Sequence, residues 1–121
     1  MTPALDALAA ETDVWSRAYS AFNVTNPSFA SIFSGLYGKN HGVYDLRTPL
    51  PADRPTLAAR FRDAGWRTAA VVSATHLGPE QSGLGRGFER YVMPWGQYAA
   101  GTVVHTALDW IEGADGPFFV F

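Results

Sequence analysis

The sequence predicts an α/β chain, a partial three-layer αβα domain built on a mostly parallel sheet. Three stretches carry that prediction. From Pro55 to Ser73 a helical pattern, a glycine and a short apolar run follow one another, which is half of a strand–helix–strand crossover. Ala99 to Glu112 repeats apolar residues at helical spacing. Pro117-Phe118-Phe119-Val120-Phe121 then closes the chain as an apolar run of the kind found in buried parallel strands.

Thr2 and Pro3 suit the N-cap and first position of a helix over Pro3 to Glu11, with Leu5, Leu8 and Ala9 as its apolar residues. Val14 to Phe22, carrying Val14, Trp15, Ala18, Tyr19 and Phe22, reads as a strand. Asn26 is a good N-cap and Pro27 suits a first helical turn. Phe29, Ile32, Phe33 and Leu36 then recur at i, i+3, i+4 and i+7, so a helix is expected from Pro27 to about Tyr37. Gly38 to Asp53 reads as loop. Thr56 starts and Gly65 closes a helix over Pro55 to Ala64, whose buried stripe is Leu57, Ala58, Phe61 and Ala64. Arg67 to Ser73 is a short buried strand. Leu77 to Gly87 is a glycine-rich loop without the Gly-Lys-Ser or Gly-Lys-Thr of a P-loop. Phe88 to Val92 is a short extended piece. In the helix over Ala99 to Glu112, Val103, Val104, Ala107, Leu108 and Ile111 are expected to face inward.

Composition narrows the function classes. With 47% hydrophobic and 17% charged residues in 121, the chain has the make-up of a packed globular protein. A formal net charge of -2 supplies no basic field, which argues against nucleic acid as a partner. No apolar run is long enough to span a membrane. The N-terminus lacks the basic-then-apolar order of a signal peptide. Without cysteine there are no disulfides, thiolate metal sites or cysteine nucleophiles. A chain that opens in a helix and stops on an apolar strand is expected to be an incomplete part of a larger domain.

The candidate chemistry centres on Thr25. A hydroxyl at the start of a helix meets unpaired N–H groups and the positive end of the dipole, which favour an anion. That is a place for a nucleophile attacking a phosphate or sulfate ester, although from this segment alone a capping role on a core helix is the ordinary reading of such a threonine. His76 follows a predicted parallel strand, where loops line the sites of open α/β sheets. No pair of aspartates has a recognisable metal-ligand spacing.

Thr25-Asn26-Pro27-Ser28, Ala30-Ser31, Ser34-Gly35-Leu36-Tyr37 and His41-Gly42-Val43 together resemble the nucleophile segment of the sulfatase family, within the alkaline-phosphatase-like superfamily. There a Cys or Ser-x-Pro-Ser-Arg motif opens a helix running into Thr-Gly-Leu-Tyr-Pro and His-Gly-Val. Thr2-Pro3-Ala4-Leu5-Asp6, Pro55-Thr56-Leu57-Ala58, Ala64-Gly65-Trp66-Arg67-Thr68-Ala69, His76-Leu77-Gly78 and Gly87-Phe88-Glu89-Arg90-Tyr91 follow in the family's order. The resemblance covers most of the chain. It implies that residues 1–121 are the incomplete N-terminal part of a sulfatase-type catalytic domain, inactive alone and an ester hydrolase when full length. It also implies Thr25 as nucleophile and metal ligand, and His76 at the substrate or leaving-group oxygen. The implied cofactor is a divalent metal, Ca2+ for a sulfatase or Zn2+ or Mn2+ for a phosphoesterase, with most ligands outside this chain. The implied substrate is a small-molecule, carbohydrate or lipid sulfate or phosphate ester.

Three departures qualify what is implied. Threonine carries a methyl on Cβ and cannot be oxidised to the family's formylglycine; it matches the threonine of phosphodiesterases and phosphotransferases in the superfamily. Phe29 stands where the motif has arginine, and Ala74 where the family's Gly-Lys-x-His-Leu-Gly has lysine, so two cations are missing. A sulfate or phosphate ester hydrolase is the leading expectation. The alternatives are a phosphodiesterase or phosphotransferase, and a catalytically silent relative acting as a binding domain.

Overall fold

A computed structural model describes residues 2–93 and 99–121. In chain order these form α1 (Pro3–Glu11), α2 (Thr25–Ser34), α3 (Gly38–His41), α4 (Leu57–Asp63), β1 (Arg67–Val71), a 3₁₀ turn (Thr75–Leu77), α5 (Pro79–Ser82), β2 (Arg90–Val92), α6 (Ala100–Glu112) and β3 (Phe118–Val120). The sheet is parallel, in the order β2-β1-β3.

Its register explains the layers. Residues paired across a parallel ladder share a face. Thr68 with Phe119 and Ala70 with Tyr91 therefore point one way, and Arg67 with Phe118 and Val71 with Val92 the other. On the first face Phe61 of α4 stacks on Phe119 at 4.6 Å, and Phe33 of α2 meets Phe121 edge-on at 4.9 Å. On the second, Trp110 of α6 meets Phe118 edge-on at 6.4 Å and lies 5.9 Å from the Arg67 guanidinium. Helices thus cover both faces of the sheet, the three layers that the sequence predicts. Ala30, Phe33, Val43, Leu50, Val72, Leu77 and Leu84 form the core on the α2 side.

Local chemistry sets the element ends. Thr56 caps α4, its Oγ1 accepting from Ala59 N–H at 3.2 Å while donating to Arg86 O at 2.8 Å. Arg86 in turn donates to Leu50 O at 3.1 Å and Pro51 O at 2.8 Å, stapling that loop; burial holds its pKa below the usual arginine value. Gly87 has φ +93°, and a Cβ there would strike the Ala58–Ala59 backbone, so only glycine lets the chain pass so close to α4.

Several expectations are corrected. Val14 to Phe22 is not a strand: it has no ladder partner among the described residues, and Trp15 and Tyr19 are 82% and 89% exposed. Aromatic content favours a strand only where a neighbouring strand packs against it. α2 begins at Thr25 rather than Pro27, with Val24 as N-cap, and ends at Ser34 because Gly35 turns left-handed at φ +70°. Asn26 is not the cap; it lies inside the helix, buried, with Nδ2 donating to Leu46 O at 2.9 Å. The buried side of α2 is Ala30 and Phe33, whereas Ile32 is exposed. Gly38 to Asp53 contains α3, and the glycine-rich loop contains α5. Ala64, Val104, Leu108, Leu5 and Leu8 are exposed, and β3 is half-buried to exposed.

Candidate functional site

The site begins with the way α2 is seated. Phe29, one turn into the helix, lies 5.0 Å edge-on from Phe121, just past the carboxyl end of β3. This sets the first turn of α2, Thr25 with it, at the carboxyl edge of the sheet, where ligands bind in open α/β folds. Thr25 is the first residue of the helix, half-buried, and lines a shallow cleft with Phe22, Asn23, Val24, Ser28 and Phe29. The first bond of the helix runs from Ser28 N–H to Val24 O, 3.1 Å. The N–H groups of Thr25 and Asn26 lie ahead of it, and Pro27 has none to offer. The Thr25 hydroxyl makes no hydrogen bond to another described residue.

Three side-chain contacts hold this turn. Asn26 is tied to Leu46 O, and its Oδ1 is buried without a hydrogen-bond partner among the described residues. Ser28 Oγ pairs with Ser20 Oγ at 2.8 Å, and Ser20 Oγ also donates to Phe22 O at 2.7 Å. Ser31 Oγ lies 2.9 Å from His41 Nε2 and donates to Pro27 O at 3.1 Å. His41 is 1% exposed, and burial depresses its pKa below 6.5. The residue sequence reasoning passed over is Ser31, whose partner lies in a separate short helix.

His76 sits in the 3₁₀ turn that follows β1. Leu77 N–H donates to Ala74 O at 2.9 Å, and the Tyr91 hydroxyl from β2 donates to Leu77 O at 2.6 Å. Burial pushes the Tyr91 phenol up to about 12, so it remains a donor at neutral pH. His76 is half-buried, with Nε2 enclosed and unpartnered among the described residues. His76 follows the carboxyl end of β1, and no hydrogen bond joins it to Thr25. Lys39 and His105 are exposed.

Phe29 and Ala74 pack against the core, so neither position returns a cation to the cleft. The described residues contain no group of three or more His, Asp or Glu able to hold a metal. One neutral hydroxyl is not a divalent-metal site, and these residues do not by themselves fit the implied cation.

The Sulfatase family model matches residues 1–121. The uncharacterized sulfatase YidJ of Escherichia coli is 30% identical over 70 residues, covering 58% of this chain and 14% of that protein. The ulvan-active sulfatase of Formosa agariphila is 27% identical over 79 residues, covering 65% and 16%. Among solved structures, BT4656 in complex with its substrate D-glucosamine-2-N,6-O-disulfate superposes with a TM-score of 0.82 at 23% identity, covering 98% of this chain and 28% of that one. The phosphonate monoester hydrolase of Agrobacterium radiobacter superposes at 0.77 and 19% identity, covering 99% and 35%. At these identities the superpositions speak to the fold. The chain spans about a sixth or less of the curated relatives it matches.

Proposed function

From the premise that this chain belongs to the sulfatase family, we propose that the intact protein hydrolyses a sulfate or phosphate ester, with Thr25 as nucleophile and residues 1–121 as the N-terminal part of its catalytic domain. The observation that carries this reading is Thr25 as first residue of α2 at the carboxyl edge of a parallel sheet. Its oxygen attacks the central sulfur or phosphorus, and a bond forms to Oγ1 as the bond to the leaving alcohol breaks. Water then attacks the same sulfur or phosphorus, breaking the bond to Oγ1, releasing sulfate or phosphate and returning a proton to Thr25. The free N–H groups of the helix start face the developing negative charge. This interaction contributes about 0.3–1 kcal/mol in exposed settings. His76 gives a proton to the leaving oxygen, the role a histidine fills near neutral pH.

A threonine hydroxyl needs a base or a cation before it attacks, and the described residues place neither beside it. A divalent metal belongs to the same proposal: it would lower the cost of deprotonating the hydroxyl, and among the described residues only Thr25 would help to hold it. Chelation of the full-length protein is expected to abolish turnover, and added metal to restore it. The methyl on Thr25 favours phosphoryl transfer over the aldehyde chemistry of sulfatases. Carbohydrate esters are a fitting substrate class, because the structural neighbour BT4656 takes a sulfated sugar.

The test is an assay of the full-length protein on paired aryl sulfate, phosphate monoester and phosphodiester substrates, beside Thr25→Ala. Loss of turnover by ~10³-fold or more is expected for a missing nucleophile. Full activity in Thr25→Ala sinks the mechanism. A covalent phosphate on Thr25, read by mass spectrometry, decides for phosphoryl chemistry. The absence of all three activities points to the second reading, a silent relative, which the uncharged Phe29 and Ala74, packed against the core, favour.

A further inference from the structure

We propose that His41 and Ser31 form a positioning pair: a buried imidazole that, through one hydroxyl, sets the first turn of α2 and hence the reactive placement of Thr25. This rests on the reading of Thr25 as nucleophile.

The geometry gives the pair a direction. Val43 N–H points at His41 Nδ1 from 3.0 Å, so Nδ1 accepts. A neutral ring then carries its proton on Nε2, which donates to Ser31 Oγ at 2.9 Å. The Ser31 proton is left to point at Pro27 O, 3.1 Å away. The order of donation is therefore His41 to Ser31 to Pro27, and Pro27 lies in the turn that starts at Thr25. Gly42, left-handed at φ +75°, closes α3 and brings the Val43 N–H back to the ring. The Phe22 ring packs against His41 at 5.9 Å between centroids.

A serine bonding back to the carbonyl four residues earlier does little for a helix and often bends it. Here a second buried partner fixes that hydroxyl. Both imidazole nitrogens are used, so the ring has one orientation. The arrangement transmits the position of α3 to the helix start that carries Thr25. Attack geometry is sensitive at this level, a displacement of about 1 Å costing on the order of 10²-fold in rate. His41 touches neither ester nor nucleophile; it acts through Ser31.

The full-length protein tests this with His41→Asn, Ser31→Ala, the double variant, Ser31→Thr and, as reference, Thr25→Ala. His41→Asn keeps an acceptor for Val43 N–H but is too short to reach Ser31. Both single variants should lower kcat by ~10-fold or more with KM changed less than ~2-fold, well below their melting temperatures. The double variant should be no worse than either single, the mark of one shared linkage. Ser31→Thr, which keeps the hydroxyl, should recover most of the loss. Amide exchange across residues 25–31 should quicken in His41→Asn, a readout independent of turnover. An inactive Thr25→Ala beside fully active His41→Asn and Ser31→Ala overturns the pair and spares the function. A fully active Thr25→Ala overturns both. Losses that multiply in the double variant, or unchanged exchange, overturn the pair.

Discussion

At the scale of single residues, the environment decides what each polar group does. Thr25 and His41 both lie near one helix start; Thr25 has a hydroxyl without a described partner, and His41 has both nitrogens committed. Burial holds His41 below its ordinary value of 6.5, so the folded protein keeps it neutral where the unfolded chain protonates. The unfolded state then binds more protons below 6.5, and stability falls as pH falls through that range. The contribution is fully present above 6.5. Melting temperatures of the full-length protein between pH 7.5 and 5.5, chosen to bracket that titration by about a unit each way, should decline less in His41→Asn than in wild type. Equal slopes would remove His41 from the acid sensitivity. Phe29 shows the legible side of this scale: an apolar side chain in a cationic motif position had to pack, and it does so against Phe121.

At the scale of elements, close approach governs what substitutions are tolerated. Gly87 crosses α4 where a side chain has no room, and its φ of +93° disfavours any other residue. Gly87→Ala should destabilise the full-length protein by more than ~2 kcal/mol, the range reached when strain and overpacking combine. An unchanged denaturation midpoint would contradict the packing described. Tyr91→Phe is gentler. It leaves Leu77 O without its phenolic donor beneath the His76 turn and should cost about 1–2 kcal/mol. If the turn positions His76, kcat falls as well; a change in stability with kcat intact would confine Tyr91 to support. Helix α4 was legible because its signals are local, a threonine cap and a closing glycine. The start of α2 was not, because Asn26 is drawn to Leu46 O, a contact 20 residues away.

At the scale of the whole molecule, the exposed apolar surface is large for the core it accompanies. Trp15, Tyr19, Tyr37, Val14, Leu5 and Leu8 all lie open. The buried apolar residues include several alanines, which contribute little area. These side chains are free to pack against further protein, as the proposed larger domain requires. Expressed alone, residues 1–121 should melt without a cooperative transition and bind a hydrophobic dye, the behaviour of a loosely packed state. A sharp melt from a monomeric species would count against the proposal that they form part of a larger domain.

What the sequence determined by itself was what depends on neighbours within a few positions: the four longer helices and the three short strands in their order, the parallel crossover, the glycine closures, and the motif series that marks the family. What only the tertiary structure decided was which apolar residues found a partner and which polar atoms were already spent. Val14 to Phe22 carried strand chemistry but had no described ladder to join, and Ser31 joined His41 through a contact no periodicity encodes. The reason is physical: backbone preference is local, while burial and hydrogen-bond satisfaction belong to pairs of groups the fold brings together.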